Sequence, residues 1–190
     1  MSSMALPLIV GISGASGAIY GVRLLQVLRE KEIPAHLIVS KSAGLALKEE
    51  TGLTVDEVRS LAEVNYSNND LSAAIASGSF RTQGMVIAPC SIRTLSDIAY
   101  GTTGSLLSRA ADVALKERRR VVLLVRETPL HAGHLRAMLA ATKNGAIIMP
   151  PMPAFYHKPR TLADIVDQTV GHCLDLFGIE SGLVKRWPAP

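Results

Sequence analysis

The stretch Leu6-Pro-Leu-Ile-Val-Gly-Ile-Ser-Gly-Ala-Ser-Gly17 decides the fold. It begins as a short apolar run rich in β-branched residues and ends in a turn of glycine, alanine and serine. A run of this kind is typical of a buried parallel strand. Glycines in the following turn let the backbone approach a phosphate, because the N-terminus of the next helix attracts negative charge. The stretch therefore predicts a strand over Leu6–Ile12, an anion-binding turn and a helix that begins near Ala18.

Strands and helices continue to alternate after this first unit. The other predicted strands are His36–Ser40, Met85–Ala88, Val121–Val125 and Ala146–Met149. The predicted helices are Ala18–Lys31, Lys41–Thr51, a short one opened by the capping box Thr54–Glu57, Ser91–Tyr100, Ser105–Arg119, His131–Lys143 and Thr161–Phe177. Asn65–Gly84 is rich in serine and asparagine and is predicted to be a loop with one turn of helix. This alternation predicts an α/β fold, with a doubly wound parallel sheet in a single domain over residues 1–190.

Composition narrows the class of protein. The 190 residues are 48% hydrophobic, which argues against a disordered chain, and the formal net charge is +4. The basic cluster Lys116–Arg120 is interpreted as a solvated helix end, and no nucleic-acid partner is expected because no aromatic residues interleave with it. No apolar run reaches the ~18 residues of a membrane span and no signal peptide is recognised, so a cytoplasmic protein without membrane contact is predicted. Cys90 and Cys173 form no CxxC pair, and His131 with His134 alone does not predict a metal site.

Ligands of open parallel sheets bind at the carboxyl ends of the strands, so the residues after each predicted strand are the candidate site. The turn Ser13–Gly17 lacks the Lys-Ser/Thr of a P-loop, and Ser13 stands where a GxGxxG motif has its second glycine. A dinucleotide site also needs an acid at the end of the second strand, where this chain has Ser40 and Lys41. A mononucleotide phosphate or another anion is therefore favoured over NAD. A turn that merely needs small residues stays open as the alternative.

Two further strand ends carry residue types that bind anions. Pro89-Cys-Ser-Ile-Arg-Thr94 brings hydroxyls and free helix amides together, which suits a phosphate or a flavin edge, although plain N-capping by Ser91 explains the same residues. Cys90 is interpreted as a small buried residue rather than a nucleophile, because no base lies near it in sequence. Arg126 suits bidentate phosphate binding and Glu127 suits proton transfer, with a structural ion pair as the alternative.

Taken together, these stretches resemble the UbiX-type flavin prenyltransferases, formerly described as phenylacrylic acid or 3-octaprenyl-4-hydroxybenzoate decarboxylases. The resemblance extends from Leu8 to Trp187 and is carried by Val10–Gly21, Ile87–Leu95, Arg109–Arg119, Arg126–Leu130 and Ala146–His157. It implies a Rossmann-like fold and a homododecamer. It also implies an enzyme that joins a dimethylallyl group from dimethylallyl phosphate to N5 and C6 of reduced FMN without a metal. The prenylated FMN would then be delivered to a UbiD-type decarboxylase.

The family's functional residues carry over to this sequence position by position. By resemblance, FMN would contact Gly14, Ala15, Ser16, Ser40, Ser91, Ile92, Arg93, Thr94 and Arg126. The prenyl phosphate would meet Lys116, Arg126, Tyr156 and His172, the last two offered by a neighbouring subunit. The residues implicated in the chemistry would be Ser16, Glu50 and Glu127. The C-terminal helix and tail, about residues 161–190, would lie at a subunit interface.

Two positions depart from the family pattern, and two other functions stay open. The family usually has arginine or lysine in place of His172, which bears on phosphate binding, and often an aromatic residue near Leu71, which bears on shielding of the prenyl cation. One alternative is an FMN-dependent cysteine-type decarboxylase, a class with a Pro-Ala-Ser-Ala-Asn-Thr stretch where this chain has Pro89–Thr94 without asparagine. The other is a non-catalytic FMN-binding subunit of an aromatic-acid decarboxylase, against which the intact Lys116 and Glu50 argue.

Overall fold

A computed structural model describes residues 5–187, in which six strands form one sheet. The strands are β1 (Leu8–Ile12), β2 (Ala35–Val39), β3 (Val64–Tyr66), β4 (Gly84–Cys90), β5 (Arg120–Val125) and β6 (Ile147–Ile148). Their order across the sheet is β3-β2-β1-β4-β5-β6, and every neighbouring pair is parallel. The winding reverses between β1 and β4. The Rossmann-like, doubly wound parallel sheet expected from the sequence is confirmed.

Helices cover both faces of this sheet. They are α1 (Ala18–Glu30), α2 (Ala43–Thr51), α3 (Val55–Arg59), α4 (Ile92–Tyr100), α5 (Leu106–Lys116), α6 (Ala132–Lys143) and α7 (Leu162–Asp175). One apolar core joins α1, α2, α3 and α7 to one face, and a second joins α4, α5 and α6 to the other. Alternate residues of β1 divide between the two cores, with Val10 in the first and Ile9 in the second. Burial on both faces is the reason why β1 is apolar throughout.

Two details of the strands differ from the sequence prediction. The short strand β3 overlaps the start of the segment predicted as loop from Asn65, and it pairs with β2 at the edge of the sheet. The helical turn predicted in that segment is a 3-10 turn at Ala74–Ala76. Pro89 does not end β4, because the strand continues to Cys90 with a shift of register after Ile87. The predicted end of this strand at Ala88, directly before Pro89, is therefore wrong.

The C-terminal helix and tail are fixed to the rest of the domain by ion pairs. On α1, Arg23 donates through Nε to Asp167 Oδ1 of α7 at 2.7 Å. After α7 the chain folds back, and the Arg186 guanidinium donates to both carboxylate oxygens of Asp175 at 3.0 and 2.9 Å. The tail up to Trp187 therefore lies against α7. None of the helices between residues 5 and 187 combines the length and the apolar character needed to cross a membrane.

Candidate functional site

Ser13 ties together the carboxyl ends of β1 and β4, where the sheet reverses its winding. Its hydroxyl donates to the Pro89 carbonyl at 2.8 Å and accepts the Ser91 amide at 2.7 Å. Ser13 is 1% exposed, so water does not compete for these two bonds. The turn after β1 and the start of α4 are thereby held side by side, at the place where open α/β sheets bind their ligands.

The N-terminus of α4 offers helix amides to an anion. Ser91 caps the helix, since its hydroxyl oxygen accepts the Thr94 amide at 3.3 Å. The amides of Ile92 and Arg93 precede the first hydrogen-bonded turn and have no partner within the helix. With the positive end of the helix dipole, these two amides suit a phosphate. The capping and anion-binding interpretations of this stretch are therefore compatible.

The N-terminus of α1 is already filled by the protein itself. Glu50, from the last turn of α2, accepts the Gly17 amide at 2.8 Å and the Ala18 amide at 2.9 Å through Oε2. The sequence predicts an anion at this helix end, and the anion is an internal carboxylate. These two amides are consequently not available to a phosphate. The turn residues Gly14–Ser16 remain to face a ligand.

The surroundings of Glu50 keep its carboxyl group ionised. Burial acts to raise its pKa, but hydrogen bonds from the Ser16 hydroxyl and the amides of Gly17 and Ala18, together with the charge of Arg126, outweigh this effect. The pKa of Glu50 is therefore held below its usual value. Near neutral pH the residue is a carboxylate, which can accept a proton but has none to donate.

Close packing at the end of β2 explains one glycine of the turn. A Cβ at Gly14 would collide with the side chain of Ser42. The Ser42 hydroxyl lies 3.2 Å from the hydroxyl of Ser40, whose amide donates to the Ile12 carbonyl at 2.9 Å. The structure therefore brings two residues expected to contact FMN, Gly14 and Ser40, to the same edge of the sheet.

Arg126 stands beside the start of α4 with its side chain exposed. Its amide donates to the Cys90 carbonyl at 3.0 Å. Within residues 5–187 its guanidinium has no ion pair, and Glu127 instead accepts the Thr128 amide at 3.0 Å. A structural ion pair between Arg126 and Glu127 is thus not observed. Cys90 is buried, and burial raises the pKa of its thiol, as expected for a structural residue rather than a nucleophile.

Replacing Arg126 with alanine is expected to weaken FMN binding by about tenfold or more, because an arginine–phosphate contact is a charge-assisted hydrogen bond. The free energy of unfolding should change by less than about 0.5 kcal/mol, since the exposed side chain has no ion-pair partner to lose. Flavin titration and chemical denaturation measure the two quantities. Arg136→Ala removes an exposed arginine from α6 and should leave both unchanged. A loss of stability with unchanged affinity would contradict the assignment.

Lys116 lies near the amino end of β5, whereas Arg126 follows its carboxyl end. Lys116 ends α5, four residues before β5 begins at Arg120. The six residues of β5 therefore separate Lys116 from Arg126 by about 20 Å along the strand. Lys116 forms an ion pair with Glu117. The two cations expected at the prenyl phosphate, Lys116 and Arg126, therefore do not meet within one chain.

Tyr156 and His172 belong to the segment after β6 and to α7, respectively. Tyr156 follows β6, is half exposed, and accepts a hydrogen bond from Gln168 Nε2 at 2.9 Å. His172 is exposed in the last turn of α7. In the described part of the chain, no hydrogen bond joins either residue to Arg126, Ser16 or the start of α4. Both are presented at the surface instead.

Comparison with known proteins decides the family. A family model described as Flavoprotein matches residues 2–184. The flavin prenyltransferase UbiX of Escherichia coli (strain K12) is 58% identical over 183 residues, which cover 95% of this chain and 97% of the relative. The chain belongs to the UbiX family of flavin prenyltransferases. The resemblance seen in the sequence is confirmed.

Solved UbiX structures share the fold over nearly the whole chain. AnUbiX in complex with FMN and dimethylallyl pyrophosphate superposes with a TM-score of 0.96 and 46% identity, covering 97% of this chain and 98% of that chain. The dodecameric FMN-dependent UbiX-like decarboxylase from Escherichia coli O157:H7 gives a TM-score of 0.94 and 46% identity, covering 97% and 100%. The single sheet with its helices is thus the UbiX fold.

Both departures from the UbiX pattern lie at the surface. Leu71 is 52% exposed in the loop after β3, and His172 is exposed on α7.

The rings of His131 and His134 lie 3.6 Å apart, but no group of three or more metal-ligating side chains is found between residues 5 and 187.

Two polar residues that organise this UbiX chain are not among the residues predicted from the sequence. Ser13 is predicted only to replace a glycine of the turn, although a serine there signals a side chain that bonds the neighbouring strand end. Gln168 has no predicted role, although a glutamine on the apolar side of an amphipathic helix signals a buried hydrogen-bonding role. It is 7% exposed and lies beside the buried Val166 and Val170 of α7 in sequence.

Proposed function

We propose that this protein joins a dimethylallyl group from dimethylallyl phosphate to N5 and C6 of reduced FMN, making prenylated FMN. The observation that carries the proposal is the 58% identity to a flavin prenyltransferase over 95% of the chain. The prenyl donor loses its phosphate as the new bond to the flavin forms. The protein must therefore hold preorganised cations and hydrogen-bond donors at that phosphate.

FMN suits the carboxyl edge of the sheet between β2 and β5. Glu50 fills the N-terminus of α1, so the free amides of α4 and the guanidinium of Arg126 are the groups left for the FMN phosphate. The side chain of Ser42 lies where a Cβ at Gly14 would stand, so glycine at this position allows the turn to pack closely against the end of β2. Ser16 and Glu50 adjoin the same turn, which supports the proposal that they act on protons of the bound flavin.

Neighbouring copies complete the site for the prenyl phosphate. Lys116 of the same chain lies about 20 Å from Arg126, so we infer that Lys116, Tyr156 and His172 reach the site from other subunits of a homododecamer. The dodecameric UbiX-like relative supports this assembly. Four large apolar side chains of the C-terminal half are at least 70% exposed, an area that a neighbouring copy would cover: Met152, Phe155, Leu162 and Trp187. The helix and tail of about residues 161–190 would form this interface, although residues 188–190 lie outside the described part.

The product is a cofactor for another enzyme, and we infer that a UbiD-type decarboxylase in the cytoplasm receives it. This step rests on the resemblance to the family. Free, buried Cys90 and Cys173 suit a reducing compartment.

The function is tested by anaerobic incubation of the purified protein with reduced FMN and dimethylallyl phosphate, with the pyrophosphate in a parallel reaction. The extracted flavin should gain the mass of one prenyl unit, and a prior titration should show binding of FMN rather than NAD or FAD. FMN binding without any gain of mass would favour the non-catalytic subunit. Decarboxylation of a cysteine-type peptide would favour the other alternative.

Replacing His172 with arginine is expected to tighten prenyl-phosphate binding by about tenfold, because a guanidinium offers the phosphate a permanent charge and a bidentate pair of donors. The measurement is the dissociation constant of dimethylallyl phosphate for both proteins under the same conditions. Equal dissociation constants would show that His172 does not touch the phosphate.

A further inference from the structure

Gln168 is a buried polar side chain to which the proposed reaction assigns no part. It lies on α7 and is 7% exposed. Its Nε2 lies 2.9 Å from the Tyr156 hydroxyl oxygen, and its Oε1 accepts the backbone amide of Lys185 at 2.9 Å. One side chain thus joins α7, the segment after β6 and the C-terminal tail. A buried amide is costly unless both of its ends are hydrogen-bonded, and here both are.

The chemistry of these groups sets the direction of each hydrogen bond. A backbone amide can only donate, so the atom that faces Lys185 must be the side-chain oxygen of Gln168. The NH₂ group therefore faces Tyr156, and it too can only donate. The Tyr156 oxygen must accept this bond. Its own hydrogen is left free to point to the exposed side of the ring.

We propose that Gln168 is a positioning residue, which turns the hydroxyl hydrogen of Tyr156 toward the phosphate of the prenyl donor. The inference rests on the proposed function, in which Tyr156 meets that phosphate. An ionised phosphate only accepts hydrogen bonds, so a hydroxyl that is already aimed as a donor forms a charge-assisted bond without reorganisation. If the hydroxyl instead donated its hydrogen to another group of the protein, only its lone pairs would face the anion.

The environment of Tyr156 fits this role. The side chain is 49% exposed, so its free side is open to a ligand held by a neighbouring copy. Trp187 packs edge-on against the ring, with centroids 5.6 Å apart, and His157 packs against it at the same distance. The ring is therefore held by packing, and Gln168 determines where the hydroxyl hydrogen points.

The decisive variant is Gln168→Glu, which keeps the shape of the side chain and reverses one hydrogen bond. An ionised glutamate still accepts the Lys185 amide, but it also accepts from Tyr156 and draws the hydroxyl hydrogen inward. Near pH 8 the variant should bind dimethylallyl phosphate about tenfold more weakly than the parent protein, as weakly as Tyr156→Phe. The assay uses the full-length protein loaded with FMN.

Acid should rescue this variant. A buried carboxyl group titrates above its usual range, and once protonated it donates to Tyr156 as the glutamine does. The affinity ratio of parent protein to Gln168→Glu should therefore fall toward one as the pH is lowered from about 8 to about 5.5. His157, Lys185 and the ligand phosphate are the same in both proteins, so the ratio isolates the introduced carboxyl group.

A new negative charge could also repel the phosphate directly, and the double variant Tyr156→Phe/Gln168→Glu separates this effect. If Gln168 acts through the hydroxyl, adding Gln168→Glu to Tyr156→Phe should cost no further affinity at any pH. A full additional loss in the Phe background would overturn the proposal. Should Gln168→Glu fail to fold, Gln168→Met removes both hydrogen bonds at similar volume and should weaken binding several-fold at every pH.

The outcomes separate this inference from the function on which it rests. If Tyr156→Phe weakens phosphate binding but Gln168→Glu and Gln168→Met do not, the inference is wrong and the role of Tyr156 stands. If Tyr156→Phe changes nothing while the flavin is still prenylated, the assignment of Tyr156 fails and the inference fails with it, although the enzyme remains a prenyltransferase.

Discussion

Replacing Glu50 with glutamine is expected to slow closure of the new flavin ring by about a hundredfold or more, the scale of general acid–base catalysis. Burial opposes ionisation of Glu50, but the Ser16 hydroxyl, two helix amides and Arg126 hold its pKa below the usual value. The residue therefore meets the flavin as a base. A glutamine keeps an oxygen for the amides of Gly17 and Ala18 but cannot take up a proton. The substitution therefore removes the proton acceptor and preserves the hydrogen bonds to the two amides.

Ring closure needs such a base because one proton must leave the flavin. The new bond between C6 and the prenyl carbon replaces the bond between C6 and its hydrogen. A proton adds to the former double bond of the prenyl group, so the closed product is an isomer of the flavin alkylated at N5 alone. Glu50 begins without a proton and is suited to accept the one that leaves C6.

Proton NMR of the extracted flavin distinguishes the two isomers, which mass spectrometry does not. The product of Glu50→Gln should retain its C6 hydrogen, whereas the product of the parent protein should lack it. Glu49→Gln is the matched control, since Glu49 is exposed one residue earlier on α2 and carries the same charge. It should close the ring at the parental rate. Equal rates of closure in Glu50→Gln and the parent protein would rule out the role in proton transfer.

Glu50 also links folding to pH. Its pKa is lower in the folded protein than in the unfolded chain. Its ionisation therefore stabilises the fold above the unfolded pKa of about 4.3, and this contribution is lost as the pH falls through the folded value. One carboxylate thus caps the N-terminus of α1 and serves the candidate site.

The sheet and the location of the site could be predicted because they depend on local patterns. Burial of β1 on both faces produces a continuous apolar run, and a parallel sheet brings all carboxyl ends to one edge. The strand β3 could not be predicted, because its three residues are too few to show the alternation of apolar and polar residues that indicates a strand. The continuation of β4 through Pro89 depends on the register of its neighbours, which no local rule contains.

Contacts between distant segments could not be predicted, and they change the chemistry of the site. Glu49 and Glu50 look alike in sequence. Only the rotation of α2 about its own axis, relative to α1, decides that Glu50 and not Glu49 reaches the Gly17 amide 33 positions away. Equally, Lys116 and Arg126 are both basic residues next to the same strand, but they lie at its opposite ends and are separated by its length.

Mixing two inactive variants is expected to restore activity because of this separation. Lys116→Ala and Arg126→Ala should each lower turnover by about a hundredfold or more. Lys116→Ala removes a cation from the departing phosphate, and Arg126→Ala removes a cation expected to serve both FMN and the prenyl phosphate. If each site takes Arg126 from one chain and Lys116 from another, mixed oligomers contain sites with both residues intact. Random assembly from equal amounts should leave about a quarter of the sites complete.

The experiment needs co-expression of the two variants with different affinity tags and tandem purification of mixed oligomers. The matched control mixes Arg126→Ala with Glu50→Gln. Glu50 and Arg126 interact within one chain, so every site in this mixture carries a defect and turnover should stay at the level of the single variants. Recovery in the first mixture but not in the second would establish that the active site is built across chains. No recovery in the first would mean that Lys116 takes no part in a shared site.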